Sequence, residues 1–324
     1  MEWVVSFPQW RKDQTDKDDF ESSEASLLGN YILCCGGKVK TAADPTNLAR
    51  MIGVGLIIIT PAVLFYIFDS NWYWEKSPAI VILFAYTWLL ALGNFLLAAF
   101  TDPGTVPRNI HLSRDESGNS PPEYYNVIRL PGARKDGVFS PSEEESESNA
   151  QPRYPIEIKY CTTCHIWRPP RTSHCGTCDS CISVHDHHCV WLNNCVGVHN
   201  YGFFLRFLAF SILCCSWLIV LGFLRMAQDG GATKRPISLL LGIYGSLGIL
   251  YPLLLLAFHM VIIWQGITTR EYLHLTKEHQ LSMKDVFRIW KFNPHNVSPI
   301  KNFAIQTNRQ RVKRSRPPSN NTKT

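Results

Sequence analysis

The sequence predicts an all-α polytopic membrane protein, in which four transmembrane helices carry a cytosolic cysteine-rich module that binds two zinc ions. Three observations support this prediction. Four blocks of the chain are long, apolar and nearly free of charge, as helices that cross a bilayer core must be. A dense group of cysteines and histidines lies between the second and third blocks. Basic residues are concentrated in the segments that four spans would leave on one side of the membrane.

The apolar blocks predict two transmembrane hairpins. Each block supplies close to the roughly 20 residues that a helix needs to cross the hydrocarbon core. The aromatic residues Trp72, Tyr73 and Trp74 in the first connecting loop are typical of the membrane–water interface. The predicted spans are 51–68 and 79–100 in the first hairpin (51–100), and 203–224 and 237–264 in the second (203–264).

The polar segments predict the remaining organisation of the chain. The linker is expected to be partly disordered, because Ser142–Ser148 is an acidic run in a region rich in Pro, Gly and Ser. After Gln265 there are twelve Lys/Arg against three Asp/Glu, and beside apolar spans such a basic tail favours an anionic bilayer surface over nucleic acid. The predicted segments are an N-terminal tail (1–50), the linker (101–158), the cysteine-rich module (159–202) and a C-terminal tail (265–324).

The distribution of positive charge predicts the orientation. Of the 32 Lys and Arg residues, 27 lie in the two tails and the central segment. The positive-inside rule therefore puts both termini and the module in the cytosol. The cytosol is also the reducing compartment that free thiols require.

The stretch from Cys161 to Cys195 holds seven of the eleven cysteines and five of the eleven histidines. Its Cys-x2-Cys spacings are typical of tetrahedral zinc sites, because the tight turn directs both thiolates at one ion. Two closed sites need eight ligands, which six cysteines and two histidines supply. One cysteine and a histidine that neighbours it then remain over, beside an aspartate, and this surplus indicates a zinc-built frame that presents a spare thiol.

Three side chains within four residues, Asp186, His187 and Cys189, favour covalent catalysis. An imidazole can take the proton of a thiol, and a carboxylate can fix the orientation of that imidazole. A nucleophile at the bilayer surface suits a long acyl chain, since each buried methylene contributes about 0.8 kcal/mol. The alternatives are a zinc adaptor without catalytic activity and a membrane ubiquitin ligase.

The same stretch resembles the DHHC-type protein S-acyltransferases over the whole module. Two shorter matches lie outside it: Asp102-Pro103-Gly104 after the second span and Thr268-Thr269-Arg270-Glu271 after the fourth. The matching residues of the module are Cys161-x2-Cys164, Arg168-Pro169-Pro170-Arg171, His174-Cys175, Asp186-His187-His188-Cys189-x-Trp191 and Asn194-Cys195-x-Gly197.

The resemblance implies a role for each matching residue. Cys189 is implied to be the nucleophile that palmitoyl-CoA acylates and that passes the acyl group to a protein cysteine. His187 is implied to activate it and Asp186 to orient His187. The implied structural zinc sites, whose pairing the spacing alone does not decide, are Cys161, Cys164, His174 and Cys181 for one ion, and Cys175, Cys178, His188 and Cys195 for the other.

Further residues have implied supporting roles. Thr269 is expected to hydrogen-bond Asp186, and Glu271 to support the module. Asn302 matches the conserved tail asparagine of the family, although the glycine that usually precedes it is absent. Arg168 and Arg171 suit the phosphates of CoA, because Arg makes bidentate phosphate contacts, or they are structural.

Small and polar residues inside the spans have two interpretations. Ser211, Cys214 and Cys215 either line a tunnel for a sixteen-carbon chain or permit close helix packing. His259 is interpreted as a hydrogen-bonded residue of helix packing rather than a buried ligand or relay. His165 and His185 match no ligand position, and both are expected at the surface.

Within the family, the Ile166-Trp-Arg-Pro-Pro-Arg run and the small size are most similar to the fungal members that acylate Ras. This resemblance implies membrane-associated protein substrates of the Ras GTPase type and a small accessory subunit. It also implies residence in the endoplasmic reticulum membrane, with the Golgi membrane as the second choice.

Overall fold

A computed structural model describes the residues that carry the membrane helices and the module. The described residues are 29–34, 39–109, 125–130, 154–228, 230–278, 300 and 302–303. The acidic run 142–148, which is predicted to be disordered, falls outside these residues, and so does most of the predicted basic tail, of which 265–278, 300 and 302–303 are described.

Four helical segments are long and apolar enough to cross a bilayer, as the sequence predicts. The fourth of them, Pro236–Trp264, consists of two consecutive helices. That break falls at Ile249, three residues before Pro252, whose missing N–H and bulky ring disfavour a continuous helix. The helices are α1 (Pro45–Phe68), α2 (Ser70–Lys76), α3 (Pro78–Phe100), α4 (Tyr201–Gln228), α5 (Pro236–Gly248), α6 (Leu250–Trp264) and α7 (Thr269–Glu278).

The first span begins six residues earlier than the apolar pattern predicts, at Pro45 instead of Met51. Asp44 caps it: its carboxylate accepts hydrogen bonds from the backbone N–H groups of Thr46 and Asn47 at 2.9 and 3.3 Å. An acidic cap followed by proline in the first turn is a strong helix start. The polar first turn therefore projects α1 beyond its apolar segment.

The second hairpin is packed at a glycine contact. A Cβ on Gly222 of α4 would lie 2.6 Å from the backbone nitrogen of Gly242 in α5. Helices in a bilayer pack mainly through van der Waals contact, so small residues that allow close backbone approach stabilise them. Below this contact, the Ser238 hydroxyl donates to the Asp69 carboxylate at 2.8 Å and ties α5 to the end of α1.

The module is built from short antiparallel ladders instead of helices. Three pairs of strands hold it together: β4 with β5, β6 with β7, and β8 with β9. The strands are β1 (Tyr31–Cys34), β2 (Val39–Ala42), β3 (Tyr125–Leu130), β4 (Tyr154–Cys161), β5 (Ile166–Trp167), β6 (Ser173–Cys175), β7 (Ser180–Ile182), β8 (His187–Cys189) and β9 (Asn194–Val196).

Strands β1 and β2 are a difference from the sequence prediction, which treats residues 1–50 as a polar tail. They pair with each other and pack on the module, where Tyr31 and Ala42 join a buried cluster with Cys178. The Ala42 N–H donates to the Asn193 carbonyl at 2.9 Å. Part of the predicted linker is also ordered, since β3 pairs along its whole length with β4.

Buried asparagines fasten the module to the second span. The Asn194 side chain donates to the carbonyls of Ala99 and Thr101 at 3.0 and 2.9 Å. The Asn200 side chain donates to the Ala98 carbonyl at 3.0 Å. The last carbonyls of a helix lack intrahelical partners, so these amides satisfy the end of α3 and fix its position under the module.

Candidate active site

Eight of the described cysteines and histidines of the module form two tetrads. Each tetrad places three cysteine Sγ atoms around one histidine Nδ1. The distances to His174 Nδ1 are 3.4–4.0 Å, and those to His188 Nδ1 are 3.4–3.7 Å. The first tetrad is Cys161, Cys164, His174 and Cys181, and the second is Cys175, Cys178, His188 and Cys195.

Strand pairing produces these sets. His174 lies opposite Cys181 in the β6–β7 ladder, and His188 lies opposite Cys195 in the β8–β9 ladder. Residues that face each other across an antiparallel pair have Cβ atoms about 4.5–5.5 Å apart, close enough to share one ion. The long-range pairing of ligands is thus a consequence of strand register, which the cysteine spacing does not contain.

Both tetrads fit zinc. Ligand atoms bound to one tetrahedral zinc at the usual bond lengths lie about 3.5 Å apart, close to the observed separations. All six cysteines are buried, and three thiolates with one imidazole form a closed set that leaves no position for substrate. Such sets are typical of structural zinc.

Strand β8 separates the two histidines of the Asp-His-His-Cys motif. Successive side chains of a strand point to opposite faces, so His187 and Cys189 share one face and His188 lies on the other. His188 belongs to the second tetrad. His187 and Cys189 line a cavity in the membrane domain, whose lining His188 also reaches. One strand of three residues presents a ligand on one face and two reactive groups on the other.

His187 and Asp186 form a short ion pair, with His187 Nδ1 and Asp186 Oδ2 2.7 Å apart. Burial opposes a charge on either group, but their mutual hydrogen bond and attraction outweigh it. The pKa of Asp186 is consequently lowered to about 2. The pKa of His187 is raised to about 10 by the hydrogen bonds with Asp186 and Cys189. Because Asp186 bonds Nδ1 of His187, Nε2 is the ring nitrogen left to contact Cys189.

Thr269, at the start of α7, holds the Asp186 carboxylate from the other side. Its backbone N–H donates to Asp186 Oδ1 and its hydroxyl donates to Oδ2, both at 2.8 Å. Together with His187, these donors satisfy a carboxylate that is only 3% exposed. The segment after the fourth span therefore fixes the acid of the motif.

Glu271 and the two arginines have different environments. Glu271 receives two hydrogen bonds from Arg171, each 2.7 Å long, and one from the Thr268 N–H at 2.7 Å. Arg171 is thus engaged in a structural pair. Arg168 Nε is buried and makes no hydrogen bond with any of the described residues.

An apolar cavity of about 610 Å³ opens beside the motif and runs between the spans. The spans contribute side chains such as Trp88 and Tyr251, and the module contributes Trp191. Ser211, Cys214 and Cys215 line this cavity, and Cys215 also packs closely against Gly245 and Gly248, so both interpretations of these residues have a structural basis. Cys215 lies fourteen residues after Tyr201, the first residue of α4. At about 1.5 Å per residue, it is therefore roughly 21 Å along the helix axis from the start of α4.

Three further residues had positions or roles predicted from the sequence. The expectation that His185 is exposed is wrong: the side chain is 3% exposed, and burial lowers its pKa to about 4. The alternation of β8 does not extend to it, since His185 lies in the loop before that strand. His165 is exposed, as expected. Asn302 is buried and donates to the Trp264 carbonyl at 3.3 Å, at the end of α6.

Sequence reasoning missed Tyr201 and the N-terminal hairpin. Tyr201 is not a metal ligand and belongs to none of the motifs above. Its hydroxyl nevertheless contacts His259, which lies beside His187. For β1 and β2 there is a usable signal, because two runs with strand-forming residues flank Gly36-Gly37. The sequence contains no comparable signal for the role of Tyr201.

Comparison with known proteins agrees with this geometry. A family model described as DHHC palmitoyltransferase matches residues 155–276. The chain is 40% identical to palmitoyltransferase ERF2 of Eremothecium gossypii over 84% of its length and 70% of the relative. It is 40% identical to that of Saccharomyces cerevisiae over 84% of its length and 71% of the relative. It is 36% identical to that of Debaryomyces hansenii, over 83% and 74%.

The family match includes the two tetrads, the motif on β8 and the segment that bonds Asp186. The four spans add the membrane domain in which such an enzyme works. The chain belongs to the DHHC family of protein S-palmitoyltransferases, as a multi-pass membrane enzyme.

Proposed function

We propose that Cys189 is the nucleophile, that palmitoyl-CoA is the acyl donor, and that cysteines of membrane-associated proteins are the acceptors. The observation that carries this proposal is the position of Cys189. It shares a strand face with His187, which bonds Asp186 at 2.7 Å, and it lines a cavity of about 610 Å³ between the spans. A nucleophile, its base and an apolar space for a long chain meet at this point.

In the first half-reaction, the Cys189 thiolate attacks the carbonyl carbon of the palmitoyl thioester. The bond from that carbon to the CoA sulfur breaks, and the departing thiolate takes the proton of the His187 imidazolium. Asp186 holds His187 Nδ1, so that Nε2 faces Cys189 and the leaving sulfur. The product is an acyl-enzyme with neutral His187.

In the second half-reaction, neutral His187 takes the proton of the acceptor cysteine. The resulting thiolate attacks the thioester carbon, and Cys189 leaves as a thiolate beside the restored imidazolium. The imidazolium thus re-forms with the proton of the acceptor thiol, while the first proton has left with CoA, and the Cys189 thiolate is regenerated. One group therefore serves as acid first and base second.

The eight residues of the tetrads would hold two zinc ions. Bound zinc would supply rigidity, because it crosslinks strands that share too few apolar contacts to fold alone. The consequence for the chemistry is positional: His188 is fixed on one face of β8, which fixes His187 and Cys189 on the other.

The two ends of the donor would occupy different surroundings. The acyl chain would lie in the apolar cavity, which Ser211, Cys214 and Cys215 line. Arg168 is the better candidate for the CoA phosphates, since its Nε has no protein partner among the described residues, whereas Arg171 is paired with Glu271. Asn302 would support the module from the end of the fourth span.

Incubation of the purified protein with labelled palmitoyl-CoA tests the proposal. The wild type should acquire a hydroxylamine-sensitive label, and Cys189→Ser should acquire none while its zinc content stays at two ions. Cys34→Ser is a matched control, because this cysteine is exposed on β1 and does not line the cavity, and it should label normally. A Cys189→Ser protein that labels at the wild-type rate would exclude the mechanism.

We further propose that the acceptors are Ras-type GTPases, that a small accessory subunit takes part, and that the enzyme resides in the endoplasmic reticulum with both termini cytosolic. The support is the similarity to fungal relatives and the bias of 27 among 32 Lys and Arg toward one side. Purification from native membranes in mild detergent should retain a stoichiometric partner. Full activity of the purified chain without any partner would contradict the proposed accessory subunit.

A further inference from the structure

His259 is a buried polar residue of the fourth span that the mechanism above does not use. It lies on α6, is 1% exposed, and lies beside the Asp186–His187 pair. Its ring centroid lies 6.0 Å from that of His187. One nitrogen of each histidine and one Asp186 carboxylate oxygen all lie within 4.8 Å of one another.

Tyr201 determines which nitrogen of His259 carries the hydrogen. The phenol oxygen lies 2.9 Å from His259 Nδ1, and both side chains are buried. A buried hydroxyl that did not donate would leave its proton without a partner, at a cost of about 1–3 kcal/mol. The hydroxyl therefore donates to Nδ1, and a neutral imidazole that accepts at Nδ1 has its hydrogen on Nε2.

Rings enclose this second histidine and the first together. The Phe204 ring makes edge-to-face contacts with both histidines. Its centroid lies 5.1 Å from that of His259 and 5.5 Å from that of His187. Few positions are then open to either imidazole. Thr269, ten residues after His259 in the chain, donates to Asp186 from the cytosolic side. His259 near the end of the fourth span and Thr269 just after it thus contact the surroundings of the Asp186–His187 pair from two opposite sides.

We propose that His259, oriented by Tyr201, is a positioning residue for the Asp186–His187 pair. A nitrogen of His259 lies within 4.8 Å of the buried carboxylate, where the low dielectric strengthens the attraction between the carboxylate and the imidazole N–H, and the His259 ring limits the rotation of His187. The inference rests on the proposed roles of Cys189 and His187. It predicts an effect on the rate of acyl transfer and none on the binding of the donor.

Two substitutions of His259 separate the N–H from the ring. His259→Phe keeps an aromatic ring in the cavity wall but removes both nitrogens. His259→Gln can place an amide N–H near the position of Nε2. Single-turnover labelling of the full-length protein with palmitoyl-CoA gives the rate constant at saturation and the half-saturating concentration. Metal analysis of the same samples gives the zinc content.

His259→Phe should lower the rate constant by about 10- to 100-fold, the usual size of a small displacement of a reacting group. The half-saturating concentration and the two zinc ions should stay unchanged. His259→Gln should recover at least part of the lost rate. A wild-type rate in His259→Phe overturns the inference, and so does a rate loss that Gln does not relieve.

Tyr201→Phe tests the same contact by removing one oxygen atom. It should lower the rate constant, and the double variant with His259→Phe should be no slower than His259→Phe alone, since both remove one linked interaction. Tyr66→Phe is the matched control, because the Tyr66 hydroxyl bonds the Val81 carbonyl, away from the site, and it should keep the full rate. If His259→Phe loses zinc, Tyr201→Phe decides: a full rate overturns the inference.

Labelling of Cys189→Ser distinguishes the two levels of the argument. If that variant still labels, the proposed function fails. If Cys189→Ser is silent while His259→Phe and Tyr201→Phe are fully active, only the positioning role of His259 fails.

Discussion

Arg171 and Glu271 lie a hundred residues apart in the sequence and form a bidentate ion pair, with two N···O distances of 2.7 Å. Arg171 belongs to the module and Glu271 to α7, which follows the last span. The pair therefore closes the module onto the end of the membrane domain. It also positions the turn from which Thr269 bonds Asp186.

Replacement of the Glu271 carboxylate should weaken the attachment of the module to α7. In Glu271→Gln the charge is lost and Arg171 keeps at most a neutral partner, so we expect a loss of about 1–2 kcal/mol, moderated because Glu271 is 31% exposed. The melting temperature in detergent should fall by several degrees, and the labelling rate should fall with it. Glu75→Gln, an exposed carboxylate of α2, is the control and should melt like the wild type. Equal melting of both variants would contradict the structural role.

Arg168 should act on the head of the donor and not on its acyl chain. Arg168→Ala should raise the half-saturating concentration of palmitoyl-CoA by about tenfold, the value of one charge-assisted phosphate contact. The melting temperature should hardly change. With palmitoyl-N-acetylcysteamine, a thioester without phosphates, wild type and variant should have equal half-saturation. A defect that persists with this donor would mean that Arg168 acts through the fold.

Cys214 should set how long a chain the cavity accepts. A phenylalanine at this position would occupy volume in the wall of the cavity of about 610 Å³. Cys214→Phe should therefore shift the preference from sixteen-carbon toward shorter acyl-CoA donors by about tenfold or more in relative rate. The isosteric Cys214→Ser should keep the wild-type preference. Competition between labelled donors of different length measures the ratio, and an unchanged ratio in Cys214→Phe would remove the acyl-chain role.

Ligands and nucleophile should differ in their effect on zinc. Cys161→Ser and His188→Ala each remove one ligand of a closed tetrad, so the bound zinc should fall from about two ions per chain toward one. The module should lose stability with it, and labelling should disappear. Cys189→Ser should also abolish labelling but keep both ions. Metal analysis of purified protein tests this pattern, and zinc loss in Cys189→Ser would place Cys189 among the ligands.

The membrane domain could be predicted from the sequence because its signal is local. About 20 successive apolar residues suffice to define a span, and all four predicted spans are present. The ends were less predictable. α1 starts at Pro45, where the Asp44 cap continues the helix beyond its apolar residues.

The module was predictable in its inventory and not in its arrangement. Counting predicted six cysteines and two histidines for two ions with one cysteine to spare, and the family resemblance implied that this cysteine is Cys189. Which ligands share an ion depends on the partners of β6 and β8 across their ladders, a relationship between distant residues. His185 was misplaced for a related reason: its burial depends on what folds over the loop before β8.

The sequence by itself determined the number of spans, the zinc-type ligands and the surplus thiol, because these depend on residue type and spacing along one short stretch. Only the tertiary structure decided which segments support the site. The N-terminal hairpin on the module, Arg171 on Glu271, and Tyr201 with His259 beneath Asp186 all join residues more than fifty positions apart. Such contacts form because buried polar groups need hydrogen-bond partners, and the packing of distant segments decides which partners are within reach. The spacing of residues along the chain does not reveal those partners.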